Sequence, residues 1–263
     1  MNIINLQEYQ HSVKIGQECP AIEPNIIDDC IFYADGEPIG FFMRQLPEKA
    51  SKLADLADKE LRSKDVPKSS MDRKPTDGFD IEKGIWKYKN VVKQWSVILG
   101  SIPPKPHMKR PYPSRSSVHQ VASARTFAKA MLLLAKESEQ IIKEVTPNIY
   151  AEQFELFKRV PKEWRFANLF TSSISNFNIS APYHRDTANI KGAVNVIITK
   201  RKNSKGGNLH IPDHGATIDQ CDNSILVYPA WRNVHGVTPI EHTYEDGYRN
   251  SLIFYSLNAF LDL

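Results

Sequence analysis

At 263 residues, with 41% hydrophobic and 24% charged residues, the chain is long enough to bury one substantial core and has the composition of a globular protein. No apolar run approaches the roughly 20 residues that span a bilayer, and MNIINLQEYQHSVKIGQECP lacks the basic start and apolar stretch of a secretory signal, so a cytoplasmic location is expected. Three scattered cysteines, Cys19, Cys30 and Cys221, exclude a disulfide framework or a C-x-x-C zinc site, and a formal charge of +4 permits a nucleic-acid partner without requiring one.

The charge is unevenly placed: from Arg44 to Arg115 there are 17 Lys and Arg against 9 Asp and Glu. Within this span, QLPEKASKLADLADKELRSK (Gln45 to Lys64) sets Leu46, Leu53, Leu56 and Leu61 at near-helical intervals and predicts an amphipathic helix. DVPKSSMDRKPTDG breaks the pattern; WKYKNVVKQWSVILG turns aromatic and apolar before a second break at SIPPKPHMKRPYPSRSS. Five prolines between Pro103 and Pro113 favour extended backbone there, and Lys105, Lys109, Arg110 and Arg115 make the loop positive. Strong helix formers with helical apolar spacing predict a long helix from Ser123 to Lys143. Beyond Trp164, FANLFTSSISNF, AVNVIITK, NLHIP, SILVYP and RNSLIFYSL read as short strands separated by Gly and Pro turns. The expected architecture is α+β and mainly β: one unit over 1–263, with a helical and irregular flanking region (1–163) around a sandwich or jelly-roll core (164–263).

Three features of the β-rich half belong together. In His184-Arg185-Asp186, alternation along a strand points the first and third side chains at one ion and the second away. A second imidazole, His235, followed by the turn-like Gly-Val-Thr-Pro, completes a set of two histidines and one carboxylate. That set covers one face of a six-coordinate ion, leaves the other open, and favours iron(II) over structural zinc. Arg249 then opens the last strand; a guanidinium at the barrel mouth, with Ser251 on the same face, suits the far carboxylate of a co-substrate whose other end is a metal-chelating 2-oxo acid. Each residue also has an ordinary role, as a structural histidine or a surface arginine; the case lies in the combination.

The order H-x-D, G-G-x-L (Gly206, Gly207, Leu209), H-G-V-x-P (His235 to Pro239) and R-x-S resembles the 2-oxoglutarate oxygenases built on a double-stranded β-helix. More narrowly, YHRDTAN, GGNLHIP and VHGVTPI look like the TET/JBP branch, which hydroxylates the 5-methyl group of cytosine or thymine in DNA, and most like its compact bacteriophage-type members. The resemblance implies iron(II) ligation by His184, Asp186 and His235, a salt bridge from Arg249 to 2-oxoglutarate assisted by Ser251, and dioxygen as oxidant. It also implies that Asn189 hydrogen-bonds the target base and that Tyr255 stacks on it; a turn-forming Asn and a buried Tyr are the alternatives. Where TET-like enzymes place a cytosine-reading histidine, this chain has Leu257, which leaves 5-methylcytosine and thymine both open.

A methyl group on a paired base is out of reach of a metal inside a barrel, so a DNA substrate implies base flipping and a basic surface for phosphates. The Pro103–Arg115 loop is the first candidate. Val66 to Lys74, with Lys68 and Arg73, is the second, and Thr199 to Gly207 the third. A 2-oxoglutarate oxygenase acting on a protein or small molecule, and a non-catalytic jelly-roll binding protein, are the rival readings; a monomer is the default expectation.

Overall fold

The computed structural model describes residues 1–70, 76–80, 82, 85–88 and 94–263. Two helices form where apolar residues recur at helical spacing: α1 (Glu48–Arg62) and α2 (Arg125–Val145). In α1 the buried stripe is Ala50, Ala54, Ala57 and Leu61; Leu46, just before the helix, is buried and Leu53 packs on the core as expected, whereas Leu56 is 37% exposed. Alanine has the highest helix propensity and no bulk, so α1 can lie close against α2 and the sheet behind it. A third helix, α3 (Pro147–Phe157), starts on a proline, whose missing N–H is harmless in the first turn.

Among the described residues a ten-stranded sheet runs in the order Asn2–Asn5, Cys30–Ala34, Glu37–Met43, Ser224–Tyr228, Asn195–Lys202, Tyr248–Tyr255, Ser172–Phe177, Trp95–Ile102 and Ser69–Ser70, with Ser114–Arg115 pairing Trp95–Ile102. A smaller sheet orders Ala181–His184, His235–Val237, Leu209–Ile211 and Ala216–Ile218. The large sheet packs α1 and α2 on one face through Val97, Leu99, Val196, Ile198, Ile225, Leu252 and Phe254. Its other face meets the small sheet through Phe32, Phe42, Leu226 and Tyr228 against Leu209, Ile211 and Ile218. This is a mainly β, double-stranded β-helix architecture with helices behind it.

The large sheet draws on the N-terminal half more than the sequence predicts. Cys30–Ala34, Glu37–Met43 and Trp95–Ile102 lie in the stretch read as helical and irregular, yet they extend the core on both sides. Glu37–Met43 joins the sheet through Ser224–Tyr228 and Trp95–Ile102 through Ser172–Phe177, partners far along the chain that local patterning does not report.

Candidate active site

His184 ends its strand and His235 opens the neighbouring one; the two strands are antiparallel with these residues directly opposite, and the ring centroids lie 4.4 Å apart. Asp186 sits two residues beyond the strand end, not within it, held by a hydrogen bond from its N–H to the Ala230 carbonyl at 3.2 Å. The Gly-Val that follows His235 is strand, not turn, so sheet pairing is what aims that imidazole. One donor atom from each of His184, Asp186 and His235 lies within 4.8 Å of the others, close enough to share one ion.

The surroundings prepare these atoms for a cation. The Pro182 carbonyl accepts from His184 Nδ1 at 2.7 Å and the Asn233 carbonyl from His235 Nδ1 at 3.1 Å, which leaves each Nε2 with a lone pair. Asp186 Oδ2 accepts from Asn195 Nδ2 at 3.1 Å, which leaves Oδ1 facing His184 Nε2 at 3.7 Å. Two lone pairs thus face each other with no proton between them, an arrangement that a metal ion relieves. Burial, and then the neighbouring His184, hold the His235 imidazole below its ordinary pKa, which favours the neutral ring that ligation needs.

Arg249 and Ser251 line the same cavity as His184, Asp186 and His235, a space of about 120 Å³ between the sheets. Strand alternation puts them there: Arg249, Ser251 and Ile253 face the cavity, and Leu252 and Phe254 face the helices. Arg249 is 2% exposed, so the guanidinium is sunk in the barrel rather than set at its mouth as the sequence suggested. Its Nη2 donates to Gln220 Oε1 at 2.7 Å, its Nε has no partner, and no carboxylate among the described residues pairs with it. Arg201 stands directly opposite on the adjacent strand, so burial first and this second cation next push Arg249 down to about 9. A buried cation beside another cation lacks an anion. Gly207 makes room for it: φ is +69° there and a Cβ would lie 2.3 Å from Arg249 Cδ. The donor set and the orphaned guanidinium fit an iron(II) ion and a dicarboxylate.

Asn189 and Tyr255 also lie beside this group. Asn189 is buried, its amide nitrogen 2.9 Å from Asn195 Oδ1 and 3.4 Å from Asp186 Oδ2, so that nitrogen holds the aspartate network rather than facing a base. Tyr255, at the end of its strand, packs against the Phe157, Ile190 and Phe260 cluster beside the cavity, and burial, then Asp186, push its hydroxyl up to about 12. Leu257 packs with Phe157, Ile190 and Phe260, as an apolar side chain there should.

The basic stretches separate. Sheet register puts Gly100, Ser172 and Tyr255 in one row, so the 103–113 loop leaves the sheet at the Tyr255 and Asp186 end. The loop is a closed turn rather than extended: Lys105 and Arg110 exchange backbone hydrogen bonds at 2.6 and 3.1 Å around a 3-10 turn, Pro106–Met108, and Tyr112 is 80% exposed. The exposed Arg115 donates to the carbonyls of Glu163 and Arg165, and the half-buried Lys68 donates to the Ser63 carbonyl and lies over the Trp95 ring, so both already have partners within the fold. Arg73 lies outside the described residues. In the third stretch Lys200 is buried between Asp55 and Asp222, Arg201 donates to the carbonyls of Gly206 and Gln220, and Lys202 pairs with Asp246. That hairpin follows Lys202, which pairs with Tyr248, so it lies at the opposite end of the sheet from Tyr255.

Two site residues escape a reading of the sequence. Asn195 interrupts the apolar run AVNVIITK, a visible signal; Gln220, between Asp219 and Cys221, carries none.

No curated protein matches the chain. Among solved structures, it is similar to NgTET1 in complex with 5mC DNA, with a TM-score of 0.57 and 11% identity over 95% of this chain and 84% of that one. A 2OG-Fe(II) oxygenase family oxidoreductase from Burkholderia pseudomallei matches with a TM-score of 0.48 and 11% identity over 82% of each chain. OsALKBH1 matches with a TM-score of 0.42 and 12% identity over 84% of this chain and 97% of that one. The first likeness is one of fold, and the other two are weaker. The family model of the Tet/JBP oxygenase domain, of the superfamily of 2-oxoglutarate- and iron(II)-dependent dioxygenases, matches residues 104–258, more than half of the chain, and the chain belongs to that family.

Proposed function

We propose that this oxygenase hydroxylates the 5-methyl group of a pyrimidine flipped out of DNA, with 5-methylcytosine converted to 5-hydroxymethylcytosine. The observation that carries this reading is the likeness of fold, across 95% of the chain, to NgTET1 in a complex with 5mC DNA. The family uses iron(II), 2-oxoglutarate and dioxygen. His184 Nε2, Asp186 Oδ1 and His235 Nε2 would hold the iron; Arg249 and Ser251 would hold the far carboxylate of 2-oxoglutarate. When bound, these groups supply an oxidant able to remove hydrogen from an unactivated methyl group, with 2-oxoglutarate converted to succinate and carbon dioxide.

The chain's own contribution is position and exclusion of water. Ile197, Leu209, Val237 and Ile253 line the cavity with apolar surface. Tyr255 would stack on the flipped base at the metal end. With its nitrogen held by Asn195 and Asp186, Asn189 has its carbonyl oxygen left for a base, an acceptor that suits the N4 amino group of cytosine and not O4 of thymine. Lys105, Lys109 and Arg110 leave the sheet at this same end, where phosphates would approach.

Nucleoside mass spectrometry after incubating the protein with iron(II), ascorbate, 2-oxoglutarate and duplex DNA containing 5-methylcytosine and thymine tests the reading. 5-Hydroxymethylcytosine is expected. 5-Hydroxymethyluracil alone would move the substrate to thymine, and neither product would overturn the DNA reading.

A further inference from the structure

Gln220 is a buried glutamine, 2% exposed, whose backbone is held on both sides: its N–H donates to Asn208 Oδ1 at 3.2 Å and its carbonyl accepts from Arg201 Nη1 at 3.2 Å. Its side-chain oxygen faces Arg249 Nη2 at 2.7 Å and Thr199 Oγ1 at 3.0 Å. A guanidinium only donates, so the atom facing it must be the carbonyl oxygen, and the amide cannot be flipped. The amide nitrogen is left buried and without a partner, as is Arg249 Nε. Both residues line the cavity that also holds the His184, Asp186 and His235 side chains. Buried donors are rarely left unpaired, so two of them at one chamber call for an acceptor.

We propose that Gln220 binds the co-substrate directly, its amide N–H donating to the far carboxylate of 2-oxoglutarate alongside Arg249. The proposal rests on the 2-oxoglutarate reading of the cavity. It also explains why a neutral amide stands at this position. A carboxylate of the same shape would pair with Arg249 from within the chain and occupy the charge that the co-substrate needs.

The test is calorimetric titration of protein loaded with manganese(II), without dioxygen, using 2-oxoglutarate and 2-oxopentanoate, which lacks the far carboxylate. Wild type is expected to prefer 2-oxoglutarate. Gln220→Leu should weaken 2-oxoglutarate by about ten- to a hundredfold, the loss of one hydrogen bond to a charged group. Gln220→Glu, nearly isosteric and so expected to fold, should weaken it at least as much, and both variants should bind 2-oxopentanoate as wild type does. If wild type prefers 2-oxoglutarate and both variants keep that preference, the Gln220 assignment is overturned alone. If wild type does not distinguish the two acids, the 2-oxoglutarate reading falls and takes the proposal with it.

Discussion

Asn195 is a polar residue in an apolar strand, and its amide fixes Asp186 Oδ2, so that Oδ1 is the oxygen presented beside His184. Partners that orient a ligand typically change metal affinity by about 10–100-fold. Asn195→Ala should therefore weaken manganese(II) binding by about that factor in a calorimetric titration, with the far carboxylate pocket intact. Gly207 acts at the other end of the cavity. A methyl group there would meet Arg249 Cδ and Nε at 2.3 and 2.5 Å on a backbone with φ of +69°. Gly207→Ala should displace the guanidinium and weaken 2-oxoglutarate by about tenfold or more, while manganese(II) binding stays near wild type. The glycine pair was visible in the sequence as a motif; that Gly207 gives way to an arginine 42 positions on was not, because the two meet only in the folded chain.

The strand Tyr248–Tyr255 shows how one element serves both layers. Its cavity face carries Arg249 and Ser251, and on its other face Asn250 donates to Asp58 of α1, which also accepts from Tyr248 Oη at 3.0 Å and Arg62 Nη2 at 2.9 Å. Asp58 is 3% exposed, so this carboxylate ties α1 to the strand that carries the arginine. Asp58→Ala leaves the buried Asn250 amide and the half-buried Tyr248 hydroxyl without an acceptor, a cost of about 3 kcal/mol. A fall in Tm of roughly 6–12 °C is expected, read by circular dichroism. The helix and the strand were both legible from periodicity. The tie between them was not, since nothing local distinguishes an aspartate on a buried helix face from one in solvent.

At the scale of the molecule, sheet register gives the barrel two ends: Tyr255, Asp186 and the 103–113 loop at one, the Lys202 hairpin at the other. Phosphate contacts by the loop would each contribute about −0.9 to the slope of log affinity against log salt. Lys105→Ala with Lys109→Ala should weaken DNA binding and lower that slope by about 2, measured by fluorescence anisotropy at several salt concentrations. Lys202→Ala, whose ammonium pairs with Asp246 at 2.6 Å, should leave both unchanged.

By itself the sequence determined the reaction chemistry: H-x-D, a later histidine and R-x-S in a β-rich half name the donor types, and donor type limits which metal and co-substrate can bind. It also carried the strands beyond Trp164 and the two long helices, because period-2 and helical spacing are local properties. The tertiary structure alone decided which charges are taken up by partners within the fold. Lys68, Arg115 and Lys200 read as basic surface, but each finds its partners within the fold. The same holds for Gln220 and for the depth of Arg249, since burial and the absence of a counter-ion are properties of distant segments brought together by pairing.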